Sequence, residues 1–256
     1  MKNFYLILIP CIIFLFIGCQ SNEDVDSNVV IFSDSKLEEV IREEINKPEG
    51  DILKSDVEKI TYLLLKGKNT KNLEGLEYLV NLETFEIIGY GNKIKNFEPL
   101  AQLTKLERLI IESSDMDDLS PLSNLTNLQT LILFENNIND ISPLSNLTNL
   151  QFLNLGKNKI SNLDALSQLT NLEVLAIFSN NISDLEPLSN LTRLRELDLR
   201  GNQITEISVL SKLSCLERLD LQNNQVVDIK PLNNLTNLEN LLLWGNPIED
   251  VDILEN

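Results

Sequence analysis

The sequence contains no histidine. Its absence removes Ser-His-Asp and Cys-His machinery, imidazole proton shuttles, and His-ligated zinc or haem. Cysteine is nearly absent too. Cys11, Cys19 and Cys215 are too few and too scattered for a disulfide framework or a thiolate metal site. Positive charge is short: 21 Lys and Arg stand against 39 Asp and Glu, a formal net charge of −18. A phosphate backbone needs a cationic surface, so nucleic acid is not an expected partner. Adhesion to an anionic membrane through a basic patch is disfavoured on the same ground. Aromatic residues make up only 5% of the chain, so any cluster of them is informative. The sequence is rich in aliphatics. Of its 256 residues 43% are hydrophobic, enough for a substantial core. Composition thus argues against most enzymes, and no cofactor is expected.

At the N-terminus a single cation, Lys2, precedes an apolar run from Phe4 to Ile17, interrupted only by Pro10. That is the length of a signal-peptide core and falls short of the roughly 20 residues a membrane-spanning helix needs. The run ends Phe16-Ile17-Gly18-Cys19 and turns polar at Gln20. This end resembles a bacterial lipoprotein signal, in which a small residue precedes a Cys whose sulfur is lipidated. Gly18 and Cys19 match, whereas Phe16 stands where that family usually has Leu. The resemblance implies a signal peptide over residues 1–18, a lipid on Cys19, and an extracytoplasmic protein anchored to the cell membrane at the bacterial surface. Each buried methylene of such a lipid contributes about 0.8 kcal/mol to anchoring. Residues 19–30 then read as an acidic, solvated tether. The plainer alternative is an ordinary signal peptide, or an uncleaved anchor, with a chance Cys.

The rest of the chain is organised by a 22-residue period. Leu106, Leu128, Leu150, Leu172, Leu194, Leu216 and Leu238 each open the pattern L-x-x-L-x-L-x-x-N-x-I-x-x-[IL]-x-x-L-x-x-L. Two earlier units begin at Ile60 and Leu82, the second with two extra residues in Ile88–Gly91, so that its Asn falls at Asn92. Nine units therefore cover residues 60–256, the last truncated. A period of this length signals a solenoid. The seven buried aliphatics of one unit contribute roughly 10–20 kcal/mol, while ordering its backbone costs about 1–2 kcal/mol per residue. One unit cannot stand alone, so units must stack and share a core.

Alternation at the fourth to sixth positions predicts a short strand per unit, and stacking makes a parallel sheet. The Asn column (Asn92, Asn136, Asn158, Asn180, Asn202, Asn224, Asn246) falls just after the strand, where an amide can satisfy turn backbone in its own and neighbouring units. Ser114 breaks the column and is the expected weak rung. Ser120-Pro121 and Ser142-Pro143 read as a cap followed by a first helical residue, opening short 3₁₀ return legs. Before the repeats, residues 31–59 contain an amphipathic face of Leu37, Val40, Ile41 and Ile45. Ser35 with Glu38 fits a capping box, so a helix is expected to cover the first open edge.

These residues resemble the 22-residue leucine-rich repeats of the internalin type, most closely in the phrase from Ile138 to Leu150. The stretch Ile31–Arg42 followed by Lys47-Pro48-Glu49-Gly50 is similar to the internalin cap. The resemblance implies an α/β solenoid: a curved parallel sheet on the concave face, short 3₁₀ turns on the convex face, and a helical N-terminal cap. It further implies non-catalytic adhesion or interaction with a protein or peptide partner.

In such folds the outward strand positions, the third, fifth and seventh of each unit, line the concave face. Ile110, Ile132, Phe134, Phe152, Val174, Ala176 and Phe178 are apolar positions in neighbouring units there. A contiguous apolar patch marks an interaction site, and rigid aromatics anchor such sites. Beside it lies a charged mosaic of Glu196, Asp198, Arg200, Arg218 and Asp220, with Trp244 in the last unit. The favoured reading is therefore concave-face binding of a protein or peptide by a monomer, with Ile110, Ile132, Phe134, Phe152, Val174, Ala176, Phe178, Arg200, Arg218 and Trp244 as the candidate contact residues. Outward strand positions also favour aromatic and β-branched residues with no ligand at all. The alternative partner is a glycan or cell-wall material on the same aromatics. A hydrolase using Asp198 and Asp220 is a third reading, because paired carboxylates about 5 Å apart can do retaining glycoside chemistry. Against it, Arg200 and Arg218 are expected to neutralise both acids on an open surface without a pocket. Acids recur at the thirteenth position (Asp118, Asp140, Asp184, Glu206, Asp228, Asp250). They read as caps on the following turn in preference to a calcium ladder. Cys215 is expected as a lone loop thiol where other units carry Asn149 and Asn171.

Overall fold

The computed structural model describes residues 28–67, 69–90 and 92–249. Cys19, most of the acidic tether and Asp250 lie outside the described residues.

Nine parallel strands form one curved, open sheet in chain order. β1 (Tyr62–Lys66), β2 (Thr84–Ile88) and β3 (Arg108–Ile111) are four or five residues long. β4 (Thr130–Ile132), β5 (Phe152–Asn154), β6 (Val174–Ala176), β7 (Glu196–Asp198), β8 (Arg218–Asp220) and β9 (Asn240–Leu242) have three residues each. The register is the sequence period: Phe152 pairs with Val174, Val174 with Glu196, and Glu196 with Arg218. The extra residues of the second unit fall after β2 and leave its register with β3 intact. Leucines and isoleucines of the first eight units form one continuous buried column beneath the sheet, and Leu238, Leu241 and Leu243 of the ninth pack on its end half-buried. The return legs are short 3₁₀ turns, as their Pro and Leu spacing predicts.

The Asn column acts as a ladder. Asn180 Nδ2 donates to Leu155 O of the preceding unit at 3.0 Å and to Ile177 O of its own at 3.1 Å. Its Oδ1 accepts from Ile160 N at 2.9 Å. Asn158, Asn202 and Asn224 repeat the arrangement. Ser114 is too short for this reach, and its hydroxyl donates to Glu112 O within its own unit. A second ladder was not read from the sequence. Asn127, Asn149 and Asn171 donate to the carbonyls of Thr104, Thr126 and Thr148, each at 2.8 Å. The Thr-Asn-Leu phrase carried that signal. Cys215 replaces one of its rungs and is an exposed free thiol.

Two capping expectations need correction. Ser120 and Ser142 do not cap the return legs. Their own N–H groups donate to Asp118 and Asp140 at 2.8 Å, and Asp184, Glu206 and Asp228 accept in the same way. The acid column is thus turned onto backbone, because a carboxylate two residues ahead closes this turn better than a hydroxyl inside it. Likewise Asp34, not Ser35, caps α1 (Ser35–Glu44), accepting from Lys36 N and Leu37 N. Glu38 pairs instead with Arg42 at 2.8 Å. Leu37, Val40 and Ile41 are buried as expected. Asp34 also accepts from Lys71 N at 2.7 Å and Asn72 N at 3.3 Å, so one carboxylate ties the cap helix to the first unit. Partial burial pushes its pKa up, but these four N–H donors win and hold it below the ordinary carboxylate value.

Candidate functional site

Each strand is followed by a residue with positive φ at the eighth position of its unit, among them Glu135 at 57°, Lys157 at 55°, Ser179 at 53° and Gly201 at 67°. Its N–H reaches the next unit, as Lys157 N does to Phe178 O at 2.8 Å. The turn holds the preceding seventh-position side chain at the edge of the concave face.

Across the middle units that face is apolar. Ile132, Phe134, Phe152, Val174, Ala176 and Phe178 are all half-buried on it. Ile110 departs from expectation: it is only 4% exposed, flanked in register by the long side chains of Glu86 and Ile132. It belongs to the support of the face more than to its surface. The rings of Phe134 and Phe178 lie 5.8 Å apart between centroids, tilted by 38°. They come from units two apart. The unit between has Gly156 at the equivalent position, where a Cβ would stand 2.3 Å from the Phe178 ring. The missing side chain is therefore what lets the two rings meet. Cations close both ends of the pair: Lys157 Nζ lies 4.9 Å from the Phe134 centroid, and the Arg200 guanidinium 4.5 Å from that of Phe178. The rings are accordingly not free stacking platforms.

Phe152 does not join this ridge. With Val174, Ala176 and Leu242 it lines a shallow hollow of about 360 Å³ whose rim carries Glu196, Asp198, Asp220 and Arg218. The expected absence of a pocket is thus corrected, because the sheet's curvature and the small Ala176 leave space. Asp198 and Asp220 sit side by side in register. The expected neutralisation is also different. Arg200 alone reaches both acids, at 3.4 Å and 4.0 Å. Arg218 pairs with Glu196. Partial burial pushes the pKa of Asp198 up, against the lowering effect of Arg200 N–H and the guanidinium, with Asp220 adding to the rise. The carboxylate pair keeps that one feature in favour of acid–base chemistry. Trp244 stands apart in the last unit, 66% exposed.

The N-terminal part of the face is polar. Glu86 binds Arg108 at 2.9 Å and accepts from Tyr62 OH at 3.4 Å. Burial, then Glu86 and Glu135, push the pKa of Glu112 up. Among the described residues no group of three or more His, Cys, Asp or Glu is arranged to hold a metal ion. Among the same residues no helix is long and apolar enough to cross a membrane.

The model of the family of leucine-rich repeats (two copies) matches residues 126–168, 170–212 and 216–256. No curated protein matches the sequence. Among solved structures, internalin C2 of Listeria monocytogenes is similar at 33% identity and a TM-score of 0.80, over 85% of this chain and 98% of that one. An internalin (inlF) of the same organism is similar at 33% identity and a TM-score of 0.62, over 88% of this chain and 79% of that one. The ectodomain of the Arabidopsis thaliana receptor kinase GASSHO1/SCHENGEN3, in complex with Casparian strip integrity factor 2, shares the fold at 24% identity. Its TM-score is 0.61, over 69% of this chain and 23% of that one.

Proposed function

The chain belongs to the internalin family of leucine-rich-repeat proteins, a fold typical of non-catalytic binding scaffolds, and we propose from that premise that it captures a protein or peptide partner on its concave face at the bacterial surface. The observation that carries this reading is the cluster of half-buried apolar side chains on neighbouring strands, Ile132, Phe134, Phe152, Val174, Ala176 and Phe178, with Phe152 and Val174 paired in register and the rings of Phe134 and Phe178 in contact. The Asn ladder beneath it holds the strands rigidly, and a preorganised face loses little entropy on binding. Phe134, Phe152, Val174, Ala176 and Phe178 are the contact residues, with Ile132 beside them and Ile110 supporting from below. Arg200, Arg218 and Trp244 flank them. The lipid on Cys19 holds the protein at the outer face of the membrane, and the acidic tether spaces it from the surface.

The glycan reading ranks lower, since Lys157 and Arg200 already cover a side of each ridge ring. So does the hydrolase reading, since Arg200 binds both acids on an open face.

A photo-cross-linker at Phe152 in intact cells is expected to trap a partner, and one at Ser145 on the return leg is not. The double variant Phe134→Ala, Phe178→Ala should lose the partner with an unchanged circular dichroism spectrum. Equal trapping from both positions, or retained binding by the double variant, moves the site elsewhere. Cys19→Ser should release the protein into the soluble fraction, and unchanged membrane association removes the lipid anchor from the reading.

A further inference from the structure

The hollow beside the aromatic ridge has an unbalanced rim. Glu196, Asp198 and Asp220 present three carboxylates, and only two guanidiniums serve them. Arg218 is committed to Glu196. Arg200 is divided between Asp198, Asp220 and the ring of Phe178. The neighbouring strands add no charge, because β6 contributes Val174 and Ala176 and β9 contributes Asn240 and Leu242. One negative charge is left without a full partner above an apolar floor. At about 360 Å³ the space lies at the low end of the roughly 300–1,000 Å³ typical of ligand sites. It suits one or two side chains better than a whole small molecule.

We propose that this hollow receives a basic residue and its apolar neighbour from an extended segment of the partner protein. The apolar side chain packs on Val174, Ala176 and Phe152, and the ammonium or guanidinium lies between Asp198 and Asp220. An acidic segment is repelled by the same rim, and like charges across an interface are strongly selected against. The chain's net charge of −18 steers approach in the same sense. The desolvated state of Asp198 fits a carboxylate whose counter-ion arrives with the partner.

This inference rests on the concave-face reading, and one experiment separates the two. The full chain is immobilised and panned with a phage-displayed library of random dodecapeptides. Enriched peptides should carry Lys or Arg beside an aliphatic or aromatic residue. The variant Asp198→Asn, Asp220→Asn, with fold checked by circular dichroism, should bind them roughly tenfold or more weakly, the loss of about one buried charge pair. A second variant, Asp220→Lys, should turn the selection toward acidic peptides. Enriched peptides without a basic preference, or with equal affinity for the Asn variant, overturn the inference. If those peptides still lose affinity for Phe152→Ala, Val174→Ala, concave-face binding survives alone. Enrichment indifferent to every one of these variants, or no enrichment, overturns both.

Discussion

The first three units and the five that follow share one core but differ in nearly everything above it. In the first part the Asn column is interrupted: Asn92 follows an insertion and Ser114 cannot reach its neighbour, and at the core position where other units carry Ile138 or Ile160, Thr70 stands buried with an unpartnered hydroxyl. The positive-φ position is glycine in two of its three units (Gly67 and Gly89) and Ser113 in the third, and the concave face carries a polar web of Tyr62, Glu86 and Arg108. From the fourth unit on, the ladder is unbroken through Asn136, Asn158, Asn180, Asn202 and Asn224. In the fourth to sixth units the positive-φ position carries Glu135, Lys157 and Ser179 and the face is mostly apolar, and in the seventh and eighth units Gly201 and Asn223 follow a charged rim. The leucines are common to both parts, so they account for stacking and not for the difference. Regular backbone support coincides with the surface assigned to binding, as preorganisation requires. The irregular part is steadied instead by the cap helix and Asp34.

The largest test of this contrast is the ladder itself. Asn180→Ala leaves buried Ile160 N without its acceptor and removes one donor from each of Leu155 O, Ile177 O and Phe178 O, which keep Asn158, Asn202 and Lys157 N respectively, and should cost roughly 2–3 kcal/mol. Ser114→Ala, which removes one local bond, should cost about 1 kcal/mol. Urea denaturation measures both, and equal costs would erase the distinction between the two parts. Next comes the clamp at the other end. Asp34→Ala should cost about 2 kcal/mol at neutral pH. Because the folded-state pKa of Asp34 is depressed, its contribution is complete above the unfolded carboxylate value of about 4 and is lost as pH falls through the folded value. Wild type and variant melting temperatures should therefore converge in acid, and a constant gap would assign the effect to packing.

A smaller effect on stability, with a clear geometric signature, is expected at Gly156→Ala. The ring of Phe178 must swing away from the new methyl, and unfolding free energy should change by about 1 kcal/mol or less. Ring-to-ring contacts between Phe134 and Phe178 in an NMR spectrum should disappear and partner binding should weaken. An undisturbed ring pair would mean that the gap at Gly156 is not what brings the rings together. Smallest of all, Ser179→Gly places at this turn the glycine that Gly67, Gly89 and Gly201 already supply in other units. Relief of about 1–2 kcal/mol of left-handed strain is partly offset by roughly 0.5–1 kcal/mol of glycine entropy, a net gain of about 0.5 kcal/mol. A loss in thermal melting would show that the turn tolerates serine without strain.

Much of this fold is legible in the sequence alone. The period, the strand in each unit, the Leu core, the Asn column and the cap helix follow from spacing, because in a solenoid each side chain meets its own counterpart one period away. The break at Ser114 was visible for the same reason. The site was less legible. Phe134 and Phe178 were marked, but their meeting across Gly156 depends on the absence of a side chain in a unit belonging to neither. Ile110 looked like its neighbours and proved covered. Arg218 was expected on Asp198 and Asp220 but turned to Glu196, leaving Arg200 to bridge them.

The sequence by itself determined which residues face inward and how the coils register, since a strict period permits only one stacking of equal leucines and asparagines. Only the tertiary structure decided what the outward residues became: a ring pair closed by cations, a hollow, and a rim on which three carboxylates share two guanidiniums. Those outcomes depend on distances across two or three units and on which of several arginine rotamers wins a contested carboxylate, neither of which is written in a linear pattern.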